Sequence, residues 1–119
     1  MIHSGVITYW TTNSPSLLLG GVTYSSGVLT VPSDGIYYIY AQIYFDTART
    51  GAKYVTIRVN GSTASHIYVE VHSTSYQDRN KYSGIVRQLR KGDGVDVYGR
   101  GYLYYMSPYH SYFGLWKIN

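Results

Sequence analysis

Not one of the 119 residues is cysteine, which excludes a disulfide scaffold, thiolate metal ligation and a cysteine nucleophile. Charge is sparse as well. Ten basic and six acidic side chains leave a net charge of +4, and only 13% of residues are charged. That is a mildly basic surface, short of the dense cationic stripe a nucleic-acid binder needs. No module for stacking bases is recognisable, so no nucleic-acid partner is expected. No apolar run approaches the roughly 20 residues of a membrane helix. No window keeps helical spacing over three turns. No secretory or transit segment is recognisable, so any leader or anchor would lie outside this chain. Contact between this domain and a membrane is not expected.

In place of these features stand sixteen tyrosines and thirteen glycines against two phenylalanines, a composition of strands and turns. The length fits a single domain, residues 1–119, large enough to bury a core. The pattern predicts strands over 6–10, 28–31, 36–45, 53–59, 66–72, 82–89, 95–98 and 111–118, with two short pieces near 16–19 and 22–24. Loops are expected over 47–51, 73–80 and 99–109. Asn60-Gly61 is a favoured hairpin turn, and Lys91-Gly92-Asp93-Gly94 is a second tight turn.

The most informative segment is 36–45. A strand with one wet face alternates apolar with polar residues. This one sets Tyr37, Ile39, Ala41, Ile43 and Phe45 on one side, and Ile36, Tyr38, Tyr40, Gln42 and Tyr44 on the other. A small all-β domain has one interior, so the second face needs another cover, and a further copy of the same chain is the simplest one. Residues 111–118 behave alike, with Tyr112 and Trp116 opposite Phe113 and Leu115. The 53–59 and 66–72 strands instead alternate cleanly. The expected architecture is therefore an all-β, two-sheet antiparallel sandwich in which one sheet faces water and the other a partner.

Candidates for chemistry are few. His66, Glu70 and His72 share parity on one strand, as metal ligands of a cupin-like jelly roll would. Such ligands must point inward, and the inward positions here are Ile67, Val69 and Val71, so the polar set reads as a solvated face and no metal is expected. Asp93 and Asp96 flank a turn without an acid–base partner. No Gly-x-Ser-x-Gly elbow or phosphate loop occurs. Neither catalysis nor a cofactor is expected. Arg87, Arg90, Lys91 and Arg100 form the densest basic group, a candidate patch for a glycosaminoglycan or an acidic receptor surface, or plain solubilising charge. Asn60-Gly61-Ser62 is also a glycosylation sequon, with Asn60 as acceptor.

A family resemblance rests on several of these segments taken in order. Trp10, Gly20-Gly21-Val22, Leu29-Thr-Val-Pro32, Gly35-Ile-Tyr-Tyr-Ile-Tyr-Ala-Gln42, Leu89-Arg-Lys-Gly-Asp93 and Tyr112-Phe-Gly-Leu-Trp-Lys-Ile118 together resemble the tumour necrosis factor ligand domain, which shares its jelly roll with the C1q globular head. The resemblance implies an extracellular homotrimer, secreted or carried on a membrane-anchored precursor. Its axis would be lined by Ile36, Tyr38, Tyr40, Gln42, Tyr44, Tyr82, Tyr112 and Trp116. It also implies a cytokine role, in which receptors are gripped between subunits by Arg49, Arg100, Tyr102, Tyr104 and Tyr105. Two departures stand out: the hairpin is short, closer to the C1q type, and residues 84–92 run one longer than the family spacing. The second predicts a bulge that would displace Tyr82 or turn Arg87 to an unexpected face. A C1q-like recognition head that binds glycans, anions or matrix proteins is the alternative reading.

Overall fold

The structure is a computed structural model that describes residues 2–8, 10, 20–45, 51–71, 80–105 and 112–119. These residues form nine strands and no helix: β1 Ile2–Val6, β2 Thr23–Ser25, β3 Val28–Thr30, β4 Gly35–Phe45, β5 Gly51–Val59, β6 Ser62–Val71, β7 Asn80–Leu89, β8 Gly94–Tyr105 and β9 Tyr112–Lys117. All described pairings are antiparallel. One sheet runs β2-β3-β8-β5-β6, with β1 beside the distal half of β8. The other places β4 between β7 and β9. The far end of β8 crosses over to pair with β4 at Tyr44 and Phe45, which joins the two sheets.

Alternation explains the packing between them. Tyr37, Ile39, Ala41 and Ile43 of β4 meet Val55 and Ile57 of β5, Val95 and Val97 of β8, and Phe113 and Leu115 of β9 in one buried cluster. Trp10 closes it, 5.5 Å from Phe113 between ring centroids. Truncating one of these aliphatic side chains removes roughly 2–5 kcal/mol.

Three expectations need correction. The first strand lies at Ile2–Val6 rather than 6–10, because its partner β8 continues past the expected loop start to Tyr105. Residues 99–105 are therefore strand, and the tyrosines there extend the sheet instead of a loop. The bulge expected in 82–89 does not occur. Pairing of β4 with β7 runs unbroken from Gly35↔Leu89 to Tyr44↔Asn80, so Tyr82 stays opposite Gln42. The irregularity sits on the other sheet, where Ala64 is left over between the pairs Ile57↔Ser65 and Arg58↔Thr63. By register Arg87 falls on the side of the buried Tyr37, yet it stays exposed at the sheet edge, where its Nη2 donates to the Ala64 carbonyl at 3.0 Å. The hydroxyls of Ser65 and Ser83 also meet across this gap. Thus β6 and β7, each paired on one side only among the described residues, are laced together by polar contacts.

Candidate functional site

The unbroken register makes the outward face of the β4 sheet a grid. Val86, Tyr38 and Trp116 share one row, Gly84, Tyr40 and Gly114 the next, and Tyr82, Gln42 and Tyr112 the third, with Gln88 and Ile36 below. None of these residues carries a charge at neutral pH. Val86 is 58% exposed, Tyr82 52%, Trp116 48% and Ile36 38%, so large apolar area is open on one face of the chain. A contiguous patch of this kind marks an interaction surface.

The two glycines determine how the rings lie. A Cβ on Gly84 would overlap the Tyr38 hydroxyl, and one on Gly114 would overlap the Tyr40 hydroxyl. The tyrosines therefore fold flat, one toward β7 and one toward β9. Trp116 packs against both, at 4.8 Å from Tyr38 and 5.5 Å from Tyr40, and Tyr112 meets Tyr40 edge-on at 6.1 Å. Such pairs contribute about 0.5–1.5 kcal/mol each beyond burial.

The polar atoms at the top of the face are used within it. The Tyr38 and Tyr82 hydroxyls share a hydrogen bond of 2.6 Å, and Tyr112 donates to Gln42 Oε1 at 3.1 Å. Burial of the phenol, the Tyr38 bond and the neighbouring phenols push Tyr82 up to about 12. Burial and then Tyr112 raise Tyr40. The face is thus apolar and neutral, and it offers shape rather than acid–base chemistry.

Of the expected interface residues, the structure brings Ile36, Tyr38, Tyr40, Gln42, Tyr82, Tyr112 and Trp116 onto this one face, and it places the backbone of Tyr44 at the end of the same strand, opposite Asn80. Val86 was not anticipated, because the expected bulge made parity in β7 unreadable. The alternation of Tyr82, Gly84, Val86 and Gln88 was the available signal. Of the expected receptor residues, Arg49 lies outside the described residues. Arg100, Tyr102, Tyr104 and Tyr105 have their backbone in β8, where Arg100 pairs with Ser4 and Tyr54, and Tyr102 with Ile2.

The remaining candidates separate as well. His66 Nδ1 lies 2.8 Å from Thr56 Oγ1, His72 is outside the described residues, and among those described no three potential ligands gather for a metal. Asn60 sits at the hairpin tip with φ of 50°, where its Nδ2 donates to Asp93 Oδ1 at 3.0 Å and its Oδ1 accepts from the Gly94 N–H at 2.9 Å. The sequon asparagine is thus a clasp between two hairpin turns. The Arg90 N–H and then the Asn60 amide hold Asp93 below the usual carboxylate range.

Among known proteins, no curated sequence matches this chain. A solved structure that does match is that of rabbit GITRL, with a TM-score of 0.63 and 17% sequence identity over 82% of this chain and 77% of that one. At that identity the likeness is one of fold. The sequence itself matches the TNF (Tumour Necrosis Factor) family over residues 8–118. The order of turns, the jelly-roll sheets and the aromatic face fall within that match: this chain belongs to the tumour necrosis factor family.

Proposed function

We propose that the chain is an extracellular signalling ligand, secreted or presented on a membrane-anchored precursor, that works as a homotrimer and clusters cell-surface receptors. The observation that carries this reading is the uncharged face of Ile36, Tyr38, Tyr40, Tyr82, Val86, Tyr112 and Trp116, open on a single copy. Fully burying one large apolar side chain contributes roughly 1.5–3 kcal/mol. Several per copy supply a firm association if two further copies cover the face, and family membership supports a three-fold arrangement. Clefts between neighbouring copies then present equivalent receptor sites, with Arg49, Arg100, Tyr102, Tyr104 and Tyr105 as nominees. Three modest contacts acting together bind as one avid contact, and bringing receptor chains together is the signal. Chemistry plays no part in this mechanism. Family membership favours it over a C1q-like recognition head.

Light scattering tests the reading at micromolar and at tens of nanomolar concentration. A mass near three times 13.5 kDa at both supports it. A monomer at both would remove the shared cleft on which the receptor mechanism depends.

A further inference from the structure

The outward face of the other sheet holds a shallow, open cleft of about 360 Å³ that the ligand reading does not use, lined by Tyr54, Thr56, Arg58, Gly61, Thr63, His66 and Tyr98. Its volume is at the small end of the range for ligand sites, about 300–1,000 Å³. The strands set its members side by side. Arg58 pairs with Asp96 and Thr63, and Thr56 pairs with Tyr98 and His66.

Arg58, Thr56 and His66 are each held in place by a neighbour. Arg58 Nε and Nη2 donate to the two Asp96 oxygens at 2.7 and 2.9 Å, and the guanidinium carbon stands 4.9 Å from the Tyr98 ring centroid. The fork is fixed from two directions, and Nη1 has no acceptor among the described residues. Thr56 is buried and engages His66 Nδ1, and Nε2 has no partner among the described residues. The His66 ring leans on Tyr54 with centroids 5.1 Å apart. The cleft therefore combines aromatic rings with donors and acceptors whose directions are already set. That costs little ordering on binding.

Charge narrows the ligand. The one arginine in the cleft already holds its carboxylate, so an anionic guest would meet no uncompensated cation among the described lining. An apolar guest would leave Nη1, Nε2 and the Thr63 hydroxyl without partners, at the cost of a buried unsatisfied group. A neutral ring with hydroxyls at its rim and C–H groups on its faces satisfies both the polar groups and the tyrosines. We propose that this cleft binds one neutral pyranose, the terminal residue of a glycan, on the side of the molecule opposite the self-association face.

The test is ligand-observed saturation-transfer NMR of the intact chain with the methyl pyranosides of glucose, galactose, mannose and N-acetylglucosamine at millimolar concentration. Transfer to the ring protons of at least one is expected. Tyr54→Ala should then weaken binding about 3–10-fold, the equivalent of one aromatic contact. His66→Ala should weaken it about 2–10-fold, the equivalent of one hydrogen bond. His66 is exposed, and amide spectra establish that each variant is folded before it is compared. No transfer to any of the four sugars overturns the proposal. So does transfer that both folded variants leave unchanged, since the sugar would then be bound elsewhere. The assay does not depend on assembly, so its result and the light-scattering result fail independently.

Discussion

Along β4 the outward positions are Ile36, Tyr38, Tyr40 and Gln42, and along β5 they are Tyr54, Thr56 and Arg58. Both strands put β-branched or aromatic residues into the same core, and both are flanked by a strand on either side. On the outward β5 face the two central polar side chains each meet a complementary one across a strand: Arg58 with Asp96, and Thr56 with His66. On the outward β4 face the rings meet one another and leave their apolar surface unspent. A sheet face completed by cross-strand polar pairs suits water, whereas one completed by stacked rings calls for a further partner. The contrast sets two outward faces of different chemistry on one domain, and the difference is written at alternate positions of single strands.

The sharpest way to break this contrast is to charge the aromatic face. Val86→Asp, at the most exposed large apolar position among the described residues, should abolish the proposed self-association and leave monomers of 13.5 kDa while the circular dichroism spectrum stays unchanged. A variant that keeps the parent mass would place the partner surface elsewhere. The opposite face should respond in stability instead of mass. Arg58→Met strands the buried Asp96 carboxylate and should cost about 1–3 kcal/mol in urea unfolding, the range for a buried group left without its partner.

The clasp at the end of the same sheet is expected to be weaker. Asn60→Ala removes two side-chain hydrogen bonds and puts a Cβ-bearing residue with no polar group at φ of 50°, for a loss of about 1–2 kcal/mol. It also alters the acid limb. Asp93 is held below its ordinary value of 3.8, so its contribution is present above that pH and fades as the pH falls through the lowered folded value. In Asn60→Ala the fade should begin nearer the ordinary value. The smallest effect belongs to the aromatic face at high pH. Tyr82 rises from 10.0 to about 12, so the stability it contributes is complete below pH 10 and drains away as pH climbs toward 12. Phenolate absorbance should show this late titration, and Tyr38→Phe should draw it back toward 10.

Much of this was readable in advance, because alternation over 36–45 and 111–118 states both faces without reference to a neighbour. The 82–89 strand was misread for a physical reason. The extra length of 84–92 suggests a bulge, yet Gly84 stays in register and is the space into which the Tyr38 hydroxyl folds, and nothing local in the sequence ties residue 84 to residue 38. The extension of β8 through 99–105 was hidden in the same way. Glycine and tyrosine together resemble a binding loop, while pairing with Ile2–Val6, far away in sequence, keeps them extended. The clasp made by Asn60 is not legible in the sequence, since nothing local to the Asn60-Gly61-Ser62 triplet announces the approach of Asp93 and Gly94.

The polar lacing between β6 and β7 has a consequence for how the chain behaves at high concentration. Unpaired strand edges invite other chains to add on in register, and the usual safeguards are bulges, charge and occupied carbonyls. Here the leftover Ala64 interrupts the edge of β6, its carbonyl is taken by Arg87, and that cation sits on the edge of β7. A molecule that presents a broad apolar face gains from flanks that do not also invite strand addition. The seam closes these two edges to strand addition while the aromatic face stays open.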